Sequence, residues 1–334
     1  MNRAKATNDP SMKNILMGFS GGPSSRAMLQ LLHQYTSSHN KYGELKILFI
    51  DESLATEDHG DHLGCIQKIA KLYPFELIIK RIEEPMGSKE AFLDAFNGLF
   101  LYHLREDFLS SLRHSLLVHT ARESKCSMLL LGDSATRIAI KTISLTSKGR
   151  GFSLPFEVAA ESSCYEGLSI IRPMRDNLSK EVALYNHHTQ LYHPSIKSIL
   201  YKTKPKASID RITEEFIAGL DSGFPSTVST IVRTANKLTP STNLAPGIWC
   251  PLCINPAETN ISAWIDSIAV RKLTSSPALE ASLDTVAELL CYGCRTSWQE
   301  SKGIALPAYA VNYSEQQKSK RELLRNQIAD FLLE

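Results

Sequence analysis

The sequence predicts a doubly wound α/β fold on a five-stranded parallel sheet, carrying a helical extension and a C-terminal metal module. Three observations lead there. Short apolar runs alternate with longer amphipathic stretches through the first half, the first run breaks into a glycine-serine turn before a helical pattern, and two CxxC pairs lie near the C-terminus. Buried strands joined by helical crossovers lie parallel and are covered on both faces.

Residues 1–13 are polar and read as a flexible start. Candidate strands follow at Asn14–Ser20, Lys46–Ile50, Phe75–Ile82, Met128–Ser134 and Leu168–Met174, all short and apolar. Between them, Ser25–Tyr35 places Met28, Leu31, Leu32 and Tyr35 at helical spacing, and Phe108–Ala121 does so with Leu109, Leu112, Leu116 and His119. These segments make 14–180 the α/β domain. Helical patterns at Lys180–Tyr192, Asp210–Ser222 and Thr227–Leu238 make 181–239 a helical extension. The turn-rich stretch Thr239–Gly247 opens a C-terminal module at 240–334. It holds both CxxC pairs, a helical pattern at Ile261–Val270 with Trp264, and a last helix, Ser314–Leu333, whose Leu323, Leu324, Ile328, Phe331 and Leu332 offer a docking face.

Composition narrows the class. Of 334 residues, 43% are hydrophobic and 22% charged, with 17 Gly and 15 Pro, which excludes collagen-like and disordered chains. There is no run of about 18 apolar residues to cross a membrane and no signal-peptide h-region, so a cytoplasmic chain without a membrane partner is expected. The net charge of +2 announces no nucleic-acid partner globally. Locally it is uneven: Arg137–Arg211 carries twelve Lys and Arg against six Asp and Glu, while Asp51–Asp61 carries five acids.

The first strand runs into Ser20-Gly21-Gly22-Pro23-Ser24-Ser25 and then a helix. A strand, a turn and a helix N-terminus point backbone N–H groups and the positive end of the helix dipole at the turn, where an anion such as phosphate is favoured. Glycine admits close approach, and Ser20, Ser24 and Ser25 offer hydroxyls for a ligand or a helix cap. Neither GxxxxGK[ST] nor GxGxxG occurs, which sets aside Walker-type and dinucleotide sites.

Seven cysteines suit metal chemistry better than a disulfide scaffold. Cys250 and Cys253, with Cys291 and Cys294, form two CxxC pairs, a donor set for tetrahedral Zn2+ in a structural role. Cys65 and Cys126 sit in helix-like and strand-edge contexts where lone cysteines are small buried hydrophobes, whereas Cys164 lies in the loop-like stretch Ala160–Gly167.

The turn at Ser20–Ser25 resembles the SGGxDS loop of the PP-loop ATP pyrophosphatase superfamily, whose members adenylate substrates such as a tRNA base. Ser24 stands here where that family has Asp, and Pro23 where its thiolating members usually have Lys. Asp133, in Gly132-Asp133-Ser134-Ala135-Thr136-Arg137, falls in a second family motif whose later acid is replaced by Arg137. The resemblance therefore implies a degenerate nucleotide or anion site formed by Ser20, Gly21, Gly22, Ser24, Ser25 and Asp133. Losing acids where magnesium is held argues against turnover of ATP and Mg2+ in this chain.

Within the superfamily, SGGPSSR together with LLLGDSATRIAIK, KGRG, IRPMRDNLSKEVALYN, FPSTVSTIVRT, CPLC and CYGCR is similar to the second-subunit family of the cytoplasmic tRNA 2-thiolation complex. That family usually carries a CxxC segment ahead of the loop, and no cysteine precedes Cys65 here. Catalytic relatives use cysteines at positions that correspond to Tyr102–Arg113, which has none, and to Leu191–Pro194, where His193 stands. No thiolate means neither nucleophile nor iron–sulfur ligand at those positions.

The resemblance implies a non-catalytic partner of the catalytic thiouridylase in a heterodimer. The complex takes sulfur from a thiocarboxylated ubiquitin-related modifier and acts on wobble uridine 34 of the tRNAs for Lys, Glu and Gln. The basic tract then becomes a tRNA surface, with Lys148, Arg150, Arg172, Arg175, Lys202, Lys204 and Lys206 as phosphate contacts. A solvated basic face is the plainer reading of the same residues. Two other functions fit the pattern: a self-sufficient PP-loop adenylating enzyme using Ser24 and Asp133, and a zinc-stabilised RNA-binding scaffold.

Overall fold

In the computed structural model, residues 14–38, 43–56, 61–165, 167–194, 208–224, 226–240, 249–257 and 290–300 are described, with isolated positions between 307 and 323. Six strands form one sheet: β1 (Ile15–Gly18), β2 (Leu45–Asp51), β3 (Glu76–Arg81), β4 (Met128–Leu130), β5 (Glu161–Tyr165) and β6 (Leu168–Ile171), in the order β3-β2-β1-β4-β6-β5. β1 lies between β2 and β4, with Met17 level with Ile47 and Leu130.

The five expected strands are parallel; the sixth, β5, is antiparallel to β6 and corrects the five-stranded expectation. The segment ESSCY looked like a loop because an edge strand needs no long apolar run, and only Ser162 and Tyr165 of its described side chains are buried. Gly167, at φ +71°, makes the tight return into β6.

The helices are α1 (Pro23–Ser38), α2 (Ser53–Thr56), α3 (His62–Ala70), α4 (Lys89–Gly98), α5 (Tyr102–Glu123), α6 (Ala135–Ser147), α7 (Leu154–Val158), α8 (Ser179–His188), α9 (Ile209–Gly223), α10 (Thr227–Ala235) and α11 (Tyr292–Glu300). Alternation along the central strands splits the core across the sheet. Ile15, Met17, Ile47 and Phe49 pack with Met28 and Leu29 of α1 on one face, while Leu16, Leu48 and Leu129 pack with Leu117, Val118 and Ala121 of α5 on the other.

The expected inner face of α1 is rotated in the structure. Of that face Met28 is buried and Leu32 packs half-buried on the core, but Leu31 and Tyr35 are 40% and 37% exposed, and Arg26, Ala27 and Leu29 are buried in their place. The cause lies beside the turn: Arg26 reaches the Tyr73 hydroxyl and donates to the Tyr192 carbonyl at 3.1 Å, drawing the first turn inward. α9 and α10 share a core with α6 through Ile138, Ile217, Val228 and Val232. The expected helix Ile261–Val270, with Trp264, lies outside the described residues, as does most of Ser314–Leu333; of its apolar face Leu323 alone is described, and it is 60% exposed.

Candidate functional site

The turn after β1 has the geometry its sequence suggested. Gly21 takes φ +75°, which turns the chain into α1 with Pro23 as its first helical residue. The Ser25 hydroxyl donates to the Gly22 carbonyl at 3.0 Å and lies 3.3 Å from the Ser20 hydroxyl, and the Gly22 N–H lies 3.4 Å from that same Ser20 oxygen. Ser24 is half-buried. α8 braces the turn from outside, its Asn186 amide donating to the Pro23 carbonyl at 3.0 Å. Gly132, after β4, closes against the turn: a Cβ there would stand 3.2 Å from the Ser25 Cα. The turn and the Asp133 motif thus come together at the carboxyl ends of neighbouring strands, the usual ligand position in such sheets.

The Asp133 side chain itself is engaged elsewhere. Lys141 of α6 lies 3.0 Å from its carboxylate and Arg172, just past β6, lies 3.4 Å away. Burial alone would raise this carboxyl, but Lys141 and Arg172, with Arg137 adding to them, outweigh it and hold the group at about 2. Helix capping falls to Ser134, which accepts from the Arg137 N–H at 3.3 Å. At the neighbouring strand end Glu52 is paired with Arg113 of α5, at 2.5 and 3.0 Å.

Near the C-terminus the four expected ligands converge. The sulfurs of Cys250, Cys253, Cys291 and Cys294 all lie within 4.8 Å of one another, and all four residues are buried. Ile254 takes φ +58° as the first knuckle turns, with its N–H on the Cys250 carbonyl at 2.9 Å and the Cys250 N–H on the Asn255 carbonyl at 2.8 Å. The neighbouring thiols and Arg150 depress the Cys294 thiol well below the ordinary thiol range. A buried, unbridged set of four soft donors suits a metal ion.

The module is stitched to the α/β body by polar contacts. Trp249 stacks on Tyr165 of β5 at 5.0 Å between ring centroids, and the Asn255 amide donates to Glu157 of α7 at 2.7 Å. The Tyr165 hydroxyl lies 2.5 Å from His114 Nε2 and donates to the Asn255 side chain at 3.3 Å.

The basic tract requires a correction. Lys148 and Arg150 have side chains 6% and 11% exposed, and both pair with Asp107 of α5, at 2.9 and 3.0 Å. Lys148 also holds Asp210 of α9 at 2.6 Å. Arg172 and Arg175 are 2% and 5% exposed, and Arg172 donates to the Ala159 carbonyl besides pairing with Asp133. Lys148, Arg150 and Arg172 are internal struts, because the acids that neutralise them lie far off in sequence on elements the fold brings beside them, and Arg175 is buried beside them. Lys202, Lys204 and Lys206 lie outside the described residues. Of the remaining cysteines Cys126 is buried and Cys65 half-buried, and the Cys164 backbone belongs to β5.

Sequence reasoning missed Arg26, Lys141, Asp107 and Asp210. For Arg26 and Asp210 the one signal was a charge in the first turn of a helix, and for Lys141 a charge closing an apolar run; Asp107, in the charged stretch Arg105–Asp107, carried none.

Among the described residues, no helix is long and apolar enough to cross a membrane. A family model described as cytoplasmic tRNA 2-thiolation protein 2 matches residues 208–296. The protein of that name from Danio rerio is 30% identical over 281 residues, 72% of this chain and 56% of its own length. Its namesake from Dictyostelium discoideum is 31% identical over 73% of this chain and 49% of its own. That from Phaeosphaeria nodorum is 27% identical over 87% of this chain and 83% of its own. The chain thus spans about half the length of the animal and slime-mould relatives it matches. Among solved structures, the U34-tRNA thiolase NcsA from Methanococcus maripaludis, described with its 4Fe-4S cluster, superposes with a TM-score of 0.56 at 19% identity, over 69% of this chain and 74% of that one. At that identity the likeness is one of fold.

Proposed function

The chain belongs to the cytoplasmic tRNA 2-thiolation protein 2 family, and from that premise we propose that it is a cytoplasmic subunit of a tRNA thiolation complex. In this reading it is required for 2-thiolation of wobble uridine 34 in the tRNAs for Lys, Glu and Gln. It acts as a non-catalytic, tRNA-binding and stabilising partner of a catalytic thiouridylase, and the complex draws sulfur from a thiocarboxylated ubiquitin-related modifier.

The observation that carries the non-catalytic role is the state of Asp133. This acid, next to the Gly132 that closes on the glycine turn, is already neutralised by Lys141 and Arg172, and the turn presents Ser24 where the superfamily has its carboxylate. A magnesium ion bound to ATP needs carboxylate oxygens of this kind. The turn itself, with its amides at the N-terminus of α1, still suits an anion. Tyr102–Arg113 forms part of α5 and offers no thiol for sulfur transfer.

Zinc is the metal that best fits the four cysteines. Cys253 and Cys291 sulfurs lie 3.8 Å apart, the edge of a tetrahedron with metal–sulfur bonds of about 2.3 Å. A cubane cluster would spread its thiolates over separate iron atoms, farther apart than this. When bound, such an ion supplies folding stability rather than reactivity, and Cys250, Cys253, Cys291 and Cys294 hold it.

The test is reconstitution. The purified chain alone should release no pyrophosphate from ATP with substrate tRNA, and the complex with its cysteine-bearing partner should form 2-thiouridine. Robust release by the chain alone would overturn the non-catalytic reading.

A further inference from the structure

We propose that Arg150 is an outer-shell residue of the four-cysteine metal centre, holding the metal by donating to the Cys294 sulfur and linking the centre to α5 through Asp107. The inference rests on the metal reading above and goes beyond it by assigning a residue outside the cysteines to metal retention.

The Arg150 Nη1 lies 3.7 Å from the Cys294 Sγ, within sulfur hydrogen-bond range, while its Nη2 donates to Asp107 at 3.0 Å and to the Ser297 hydroxyl at 3.3 Å. The guanidinium fork therefore bridges a metal ligand and a carboxylate on the body, which the single point of a lysine ammonium cannot do with the same geometry. Four thiolates around a dication leave two net negative charges, and a cation donating to one sulfur offsets part of that in a dry setting.

Two glycines make room for it, one on each side of the contact. A Cβ on Gly293, between the two ligands of the second pair, would stand 2.6 Å from the Arg150 Cγ. Gly149, at φ +70°, lies where a Cβ would meet the Tyr292 ring at 3.1 Å. The turn Lys148–Gly151 and the second CxxC loop are thus shaped to each other, with the guanidinium as the contact.

A wider relay follows from the same acid. Asp107 also holds Lys148, which holds Asp210 near the start of α9. Cys294, Arg150, Asp107, Lys148 and Asp210 form one continuous chain of polar contacts from the metal centre into the helical extension.

The experiment loads the full chain with one equivalent of zinc and follows its transfer to a competing chromophoric chelator. Loss of an outer-shell partner typically costs about 10–100-fold in metal affinity, so Arg150→Met should release zinc about 10–100 times faster than wild type, and Arg150→Lys should recover only part of that. Gly293→Ala keeps the guanidinium but displaces its stem, and it should accelerate release in the same direction. Ile66→Ala opens a gap in the core of the α/β body, away from the centre and its relay, and should leave the release rate unchanged, separating metal retention from general stability. Release from Arg150→Met at the wild-type rate would overturn the proposal. If Arg150→Met does not fold, an unchanged rate in Gly293→Ala overturns it instead. A wild-type chain that takes up no zinc refutes the metal reading itself, and the proposal falls with it.

Discussion

The Arg172 guanidinium lies 3.4 Å from the Asp133 carboxylate across the carboxyl ends of β4 and β6. An acid at the mouth of a potential anion site is thereby turned into half of an internal ion pair, shared with Lys141. Arg172→Met leaves this buried carboxylate with Lys141 as its remaining close cation and should destabilise the protein, by less than the roughly 3–5 kcal/mol of a buried charge left wholly unpaired, read as a fall in the urea midpoint, and Asp133→Asn combined with it should recover part of the loss.

The same carboxylate sets an acid limit. Its folded value is about 2 against an ordinary 3.8, so its contribution is present above about 4 and is lost as pH falls through 2. A shift of this size corresponds to about 2 kcal/mol. Urea midpoints between pH 5 and 2 should fall less steeply in Asp133→Asn than in wild type.

Glu106 behaves in the opposite sense. Burial, with Asp210 beside it, pushes its carboxyl up to about 8, although Ser208 donates to it at 3.0 Å. The folded protein keeps this proton while the unfolded chain has lost it above the ordinary 4.5, so the group takes stability away progressively as pH rises from about 4.5 to 8. Glu106→Gln should flatten that slope and raise the melting temperature most at pH 8 and above; an unchanged slope would show that Glu106 ionises freely in the fold.

Removing the metal should act locally at first. Chelation, or Cys294→Ser, should perturb the fluorescence of Trp249, which stacks on Tyr165, before circular dichroism reports any loss from the α/β body. Simultaneous loss of both signals would mean that the body depends on the module for its own folding.

The basic residues separate into two groups with different readouts. Lys148→Ala breaks pairs with Asp107 and Asp210 and should lower stability while leaving the salt dependence of tRNA binding by the complex unchanged. Charge reversal at Lys202, Lys204 and Lys206 should weaken tRNA binding and flatten that salt dependence. Binding that is indifferent to the triple reversal would remove those lysines from the tRNA surface.

Much of the fold was legible in the sequence because the buried parallel strands carry their own signal, an apolar run bounded by turn residues. β5 escaped, since an edge strand faces one neighbour and needs few apolar side chains. Leu31 and Tyr35 misled for a related reason: spacing gives the period of a helix, but the inward pull of Arg26 fixed its phase. The four cysteines were legible because metal ligands of one site come in short-range pairs whatever the spacer between them.

By itself, the sequence determined the α/β class, the glycine-serine turn and the two cysteine pairs, because each is written in local spacing or residue type. The tertiary structure alone decided what the charges do. Lys148, Arg150, Arg172 and Asp133 find their partners on distant elements, and a charge close to its counter-ion out of water is a strut, while the same residue on the surface would be a contact. Sequence lists charges without their partners, and only the folded chain pairs them.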